Sequence, residues 1–375
     1  MKILLVLAYV LCIYSSFGTI SPDSGKKRQR NSKESEKSKK FDTTLTAQSI
    51  IASHSIHSPT SKNVKFDTPT LVFVTPWNSK GYDIAKEFAF KFTLVSPVWL
   101  QLKPDSTKIG YKITGDHDID SGWMASVRKS SNNKAKIVPR LIIEEWTTNQ
   151  LEALERDEWR LSSIGATLAK FCEIKSLDGL VFEYVYAQAH AAKNNGPGHH
   201  LAEAIGNVFS ANKLLFIIPI PPQPSAIFSH SDMDHLIDSV NYFSIMTYDY
   251  SSRSVKGPNA PIGWVDHCLN EWLKSSPPSK LLMGLNFYGT LHERHGASSP
   301  ILGKQYVEIL QKNPTAQIDW QKDYMEHSTK LVNGDIIFFP SQMSILTRLH
   351  LADRLRIGFA IWEIGQGLDY FYDLL

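Results

Sequence analysis

The sequence predicts an α/β protein built as one (β/α)8 TIM barrel, and three observations carry that expectation. Eight short runs rich in β-branched and aromatic residues recur from residue 70 onward. Amphipathic stretches with helical spacing separate most of them. The runs themselves are nearly continuous in apolar residues, as strands of a parallel sheet covered on both faces must be. Eight such units suit a closed barrel, and the chain of 375 residues exceeds the ~250 that one barrel takes.

Taken in order, residues 1–19 have the form of a secretory signal peptide. Lys2 precedes the apolar run 3-ILLVLAYVLCIY-14, and Ser15, Ser16 and Gly18 follow as small residues near a cleavage point. The run is shorter than the ~20 residues of a spanning helix. No later segment is longer and as apolar, so the mature chain is expected to have no membrane span. Residues 20–65 are rich in Ser, Lys and Thr and read as a flexible basic leader, too poor in apolar surface to offset the entropy of ordering.

The barrel is expected over 66–375. Its strands lie within 70-TLVFVTPW-77, 92-FTLVSPVWL-100, 135-AKIVPRLIIEEW-146, 177-LDGLVFEYV-185, 214-LLFIIPIPP-222, 242-YFSIMTYDY-250, 281-LLMGLNFYG-289 and 355-LRIGFAIWE-363. Helices are expected over 147–171, 198–213, 231–240, 261–275 and 340–354. The last opens on Pro340 and spaces Met343, Leu346, Leu349 and Leu351 along one face. A short insertion, 290–339, separates strand 7 from helix 7. Within it, 302–312 reads as a helix, and 316–325 is expected to pair with 334–340 as a hairpin.

Charge excludes one class of partner. The net charge of +3 is concentrated in 26-KKRQRNSKESEKSKK-40, which holds eight basic and two acidic residues. The chain beyond it is mildly acidic and shows no basic stripe, which argues against nucleic acid. Cys172 and Cys268 are the cysteines left after the signal segment, too few for a disulfide framework. Their helices should lie three places apart around the ring, too far for the ~4.4–6.8 Å that a disulfide spans between Cα atoms. The one Asn-x-Thr triplet, Asn313-Pro314-Thr315, is blocked by its proline.

Chemistry in such barrels sits at the C-terminal strand ends. Here those ends carry Trp77 and Asn78, Trp99 and Gln101, Glu144, Glu145 and Trp146, Met246, Tyr248 and Asp249, Asn286 and Tyr288, and Trp362 and Glu363. Aromatic rings at several strand ends suit the C–H faces of sugars. No Gly-rich phosphate loop is evident, and no GxGxxG follows the first strand. His199-His200 is the one adjacent histidine pair and reads as a solvated helix start, so no metal or other cofactor is expected.

The segments 178-DGLVFEYV-185, Met246-x-Tyr248-Asp249 and Trp362 together resemble glycoside hydrolase family 18, the chitinases and chitinase-like lectins. The family's fourth strand carries DxxDxDxE, its sixth Met-x-Tyr-Asp, and its eighth a tryptophan that floors the groove. The resemblance extends over roughly 66–375, and 75-TPWNSKGYD-83, 96-SPVWLQLK-103, 284-GLNFYG-289 and 362-WEIGQGLDYFYDLL-375 are similar to its stabilin-interacting branch. It implies a saccharide groove at the strand ends and secretion or lysosomal residence. It also implies a role in recognising glycans such as chitooligosaccharides or lipopolysaccharide, and a scavenger-receptor partner of the stabilin type.

Family enzymes hydrolyse with help from the substrate's own N-acetyl group, outside the two-carboxylate scheme. Carried over residue by residue, Asp178 keeps the first acid, Val181 replaces the second, Glu183 keeps an acid at the third, and Val185 replaces the proton donor. A valine has no proton to give. Strand alternation places 181, 183 and 185 on the inward face, with Glu183 ~6.6 Å short of the donor position. Between two valines, the charged form of Glu183 is expected to be penalised by desolvation, which favours either a protonated donor to a ligand or to Tyr248, or a buried carboxyl satisfied by its neighbours. The expectation is therefore a catalytically inactive lectin-like barrel that binds oligosaccharide. Two alternatives stay open: a glycosidase with its acid relocated to Glu183 or Glu145, or a scaffold for a receptor partner.

Overall fold

The computed structural model describes residues 44–106, 110–185, 199–251 and 255–375. The expected signal peptide, 1–19, and residues 20–43 of the expected leader lie outside the described residues. Strands β1 (Thr70–Val74), β2 (Leu94–Pro97), β3 (Leu100–Pro104), β4 (Tyr111–Thr114), β5 (Lys136–Ile137), β6 (Arg140–Ile143), β7 (Gly179–Glu183), β8 (Leu215–Ile220), β9 (Tyr242–Ile245) and β10 (Leu281–Asn286) follow in turn. Strands β11 (Gly289–His292), β12 (Ser298–Ile301), β13 (Gln317–Gln321), β14 (Glu326–Lys330) and β15 (Ile336–Phe338) fill the insertion, and β16 (Gly358–Trp362) comes last.

The expected barrel is present. Strand β16 pairs in parallel with both β10 and β1, and the parallel order runs on through β2 and from β6 to β10. Two barrel strands are each broken once. β2 gives way to β3 across Val98-Trp99, and β5 to β6 across Val138-Pro139, where proline supplies no ladder N–H. The ring closes because β2 pairs β5 while β3 pairs β6. Beyond the barrel β3 turns back through β4 as an antiparallel hairpin that the sequence reading did not foresee.

Alternation along each strand builds two cores. Leu71, Phe73, Leu94, Val98, Val138, Val181, Ile217, Leu282 and Ala360 fill the barrel interior, with Tyr242 and Trp362 packed on them. The other face of the strands meets the helices in a larger outer core. The helices are α1 (Ala47–Ser53), α2 (Lys80–Glu87), α3 (Ser121–Ser130), α4 (Thr148–Glu155), α5 (Glu158–Lys175), α6 (His200–Ala211), α7 (His230–Leu236), α8 (Ile262–Trp272), α9 (Gly303–Lys312) and α10 (Gln342–Leu355).

Three expectations need correction. The helix expected over 147–171 is two, because Asp157 caps a new one through Arg160 N–H at 3.0 Å. The leader expected over 20–65 is not flexible along its whole length, since α1 carries a Thr46–Ser49 capping box and buries Ala47 and Ile50 in the outer core. In the insertion β13 pairs with β14, whose 326–330 register was missed, and β15 pairs with β14 and β11. The insertion is thus a five-stranded antiparallel sheet with α9, not a lone hairpin.

Cys172 and Cys268 are both buried free thiols, as their places in the ring required. Among the described residues no helix is long and apolar enough to cross a membrane.

Candidate functional site at the barrel mouth

Trp362 ends β16 beside Asn286 of β10, its Cα partner. It continues the inward parity of Ala360, so its ring lies on the interior core, with the Phe73 ring tilted by 55° against it at 5.1 Å between ring centroids. The Arg140 guanidinium sits over the same ring, 5.9 Å from its centroid. Nε of Arg140 donates to Oε2 of Glu183 on the adjacent β7. These four side chains form the floor of the mouth.

Arg140 was missed in the sequence reading. An arginine opening the apolar run 140-RLIIEEW-146 is the signal that marked it, since charges are rarely buried without a purpose. Its presence bears on the reading of Glu183. Arginine has donors only, so Oε2 of Glu183 accepts here, as a carboxyl satisfied by its neighbours does.

The placement of residue 185 also differs from expectation. Val181 faces the barrel interior as alternation requires. The strand then ends at Glu183, and Val185 opens the next helical turn. Its side chain is 1% exposed and belongs to the outer core, so 185 no longer shares the inward face. Asp178 lies at the other end of β7, where it accepts from Ile137 N–H at 2.8 Å and from Arg128 at 2.9 Å. A cavity of about 740 Å³ opens near that end, lined by Met124, Arg128, Ile174 and Lys175, and is remote from the mouth.

Strands β9 and β10 build one wall. Met246 is half-buried and follows Tyr242 and Ser244 in parity. The Tyr248 ring lies against Gly284, where a Cβ would come within 2.9 Å of it. Tyr248 meets Tyr288 edge-on at 6.4 Å. Tyr288 donates its hydroxyl to Oδ1 of Asp249. Asp249 is exposed as a residue, but its carboxyl turns inward onto this hydroxyl. Crowding by protein atoms pushes its pKa up, and the Tyr288 bond pulls it back. Burial likewise holds the Tyr288 hydroxyl well above its ordinary range. Asn286 donates to the Tyr288 carbonyl at 2.8 Å, so it positions this wall.

The insertion supports the same wall from behind. Asn259 accepts from Asp249 N–H at 2.9 Å. The Asn259 and Ala260 N–H groups donate to Glu326 of β14, which pairs with Arg348 of α10 at 3.0 Å.

Other expected site residues are not at the floor. Trp99 is fully buried in the outer core, with Nε1 on the Tyr82 hydroxyl at 2.7 Å, so it is a core residue. Trp146 packs against that core and donates to the Leu102 carbonyl at 2.9 Å. Glu145 is exposed and shares Lys103 with Glu144, at 2.8 and 2.9 Å. Trp77 is 58% exposed on the loop after β1, a rim position. That loop is tied to the floor strand by Glu363, which accepts from Asn78 and from Gly365 N–H. Burial raises the pKa of Glu363 to about 7.

The histidine pair is not a solvated helix start. His199 is buried between the Tyr184 hydroxyl at 2.6 Å and Asp232 at 2.9 Å, and burial lowers its pKa. Among the described residues no three His, Cys, Asp or Glu side chains gather as a metal site would require.

Comparison with known proteins agrees with this architecture. The chain superposes on a chitinase from Chromobacterium violaceum with a TM-score of 0.67 at 18% identity, covering 82% of this chain and 97% of that one. A class V chitinase from Pseudomonas fluorescens gives 0.65 at 17%, over 82% and 98%. The spore cortex-lytic enzyme SleL of Bacillus megaterium gives 0.63 at 18%, over 82% and 72%. At these identities the likeness speaks for the fold. The sequence model of the glycosyl hydrolases family 18 matches residues 70–367, from the first strand of the barrel to beyond its last, and the chain belongs to that family.

Proposed function

We propose that this protein is a secreted or lysosomal lectin-like member of the family, holding oligosaccharides at the barrel mouth without cleaving them. One observation carries the reading: Val185, which the motif resemblance aligns with the proton donor, is an apolar side chain buried in the outer core, beside an aromatic floor and a Tyr248–Tyr288–Asp249 wall. A sugar face stacks on an exposed aromatic surface through C–H contacts, and flanking polar groups fix its orientation. Chitooligosaccharides and bacterial glycans such as lipopolysaccharide are the ligands proposed. The similarity of 362-WEIGQGLDYFYDLL-375 and its companion segments to the stabilin-interacting branch supports a stabilin-type scavenger receptor as partner.

The relocated-acid alternative fares less well. Glu183 is occupied as an acceptor by Arg140, and Glu145 is an exposed partner of Lys103. Neither is poised to protonate a glycosidic oxygen, which calls for a donor within ~3 Å. The test is calorimetric titration with chitotetraose, followed by mass spectrometry of the same solution. Binding with the sugar intact supports the lectin. Cleavage products that vanish on Glu183→Gln or Glu145→Gln would establish the enzyme instead.

A further inference from the structure

Three buried cations in this chain invite comparison. Arg348, 5% exposed in its side chain, is saturated by protein: Nη1 reaches the carbonyls of Met325 and Ser344, and Nη2 those of Ala260 and Tyr324 together with Glu326. Lys91 likewise donates to the carbonyls of Asn63, Tyr372 and Leu375. Each fills its donors with oxygen, as a buried cation must to offset lost hydration. Arg140 does not follow them. Its side chain is 9% exposed, yet its one hydrogen bond to the described residues is from Nε to Glu183.

The remaining donors have a direction. Arg140 stands in register with Val181 at the interior core, and its guanidinium rises past that layer to Glu183 and the Trp362 ring. Nη1 and Nη2 therefore lie at the floor of the mouth, in the plane of a guanidinium that Nε and Glu183 hold over the tryptophan. A purely structural arginine in this chain is closed on itself, as Arg348 shows. This one keeps its fork for an acceptor from outside.

We propose that Arg140 is the specificity-determining residue of the saccharide site, donating through its Nη groups to an oxygen acceptor on the bound sugar, such as an acetamide carbonyl. The proposal rests on the oligosaccharide-binding reading above and deepens it. Glu183 is then a positioning residue that fixes the guanidinium and balances its charge. The pair is neutral as a unit, so it selects an uncharged acceptor, not an anion. A sugar that carries an ammonium in place of the acetamide offers no acceptor and meets a cation.

The experiment compares chitotetraose with its fully deacetylated counterpart, titrated into the full wild-type chain, Arg140→Met and Arg140→Lys. Thermal unfolding confirms that each variant is folded. Wild type is expected to favour the acetylated tetramer. Arg140→Met should weaken that tetramer about tenfold or more, as loss of charge-assisted hydrogen bonds does, and leave the deacetylated one unchanged or tighter. Arg140→Lys keeps the cation and loses the fork, so it should also weaken the acetylated tetramer, and it serves if the methionine variant does not fold. A folded variant of either kind that binds chitotetraose as tightly as wild type overturns the role of Arg140 alone. Wild type that binds neither tetramer overturns the oligosaccharide reading, and this proposal with it.

Discussion

Arg140 and Val181 are partners in register across β6 and β7, yet the arginine side chain is bonded to Glu183, two residues nearer the mouth. The cation thus spans from the packed interior of the barrel to its floor. Its burial is tolerated because one carboxylate meets it there.

Removing that carboxylate alone should be costly. Glu183→Leu leaves a buried guanidinium without its counter-charge, and broken buried pairs cost about 3 kcal/mol or more. Adding Arg140→Met in the same chain should recover most of the loss, since an apolar pair of similar volume is often neutral. Urea unfolding of the two single variants and the double variant measures this coupling. Equal losses for Glu183→Leu with and without Arg140→Met would show that the two residues do not interact.

The two tryptophans at strand ends, Trp99 and Trp362, should separate cleanly. Trp99 is fully buried against Trp123 and bonded to Tyr82. Trp99→Ala should cost about 3–5 kcal/mol of stability and leave saccharide affinity unchanged in the folded fraction. Trp362→Ala should instead cost about 1–3 kcal/mol of saccharide binding, in line with other aromatic stacking platforms. Calorimetry beside denaturant unfolding reads both effects. An unchanged dissociation constant for Trp362→Ala would exclude the floor role.

The barrel was legible because its signal is repeated eight times. Apolar runs and helical spacing state the same architecture in each unit, so one misread boundary does not alter it. The site was less legible because its geometry depends on where each strand stops. Period-two alternation correctly put Val181 inside, but it could not register that β7 ends at Glu183 and releases Val185 to the outer core. Trp99 failed for a similar reason. The break after Pro97 turns its ring outward, and the sequence shows a strand running straight to 100. Arg140 was visible as a charge in an apolar run, but its partner lies 43 positions away. The hairpin in the insertion was mispaired because 326-EHSTK-330 is polar and lacks a strand's usual apolar alternation.

The two cysteines should be inert in the native state. Both thiols are buried, and burial pushes the pKa of each up to about 12. The thiolate is the reactive form, so reagent should label neither at neutral pH until the chain unfolds, and then label both. Non-reducing mass spectrometry should find no link between 172 and 268. Rapid labelling of the folded protein would show that one of the helices opens.

Glu363 gives the fold a pH dependence of defined sign. Its carboxyl is buried, and the pKa stands at about 7 against an ordinary 4.5. The folded state therefore holds a proton that the unfolded chain has already released. Between those values the unfolded chain binds fewer protons, so stability falls as pH rises. The contribution is full below about 4.5 and is lost as pH passes about 7, with an upper bound of roughly 3–4 kcal/mol at ~1.4 kcal/mol per unit. Asp249 and Glu326 are raised by burial too and act in the same direction. The informative quantity is thus the difference between wild type and Glu363→Gln, which keeps an oxygen acceptor for Asn78 and Gly365. Unfolding free energies measured from pH 4.5 to 8 should decline more steeply for wild type than for the glutamine variant. Parallel curves would mean that Glu363 titrates alike in both states, and that the bonds from Asn78 and Gly365 offset its burial.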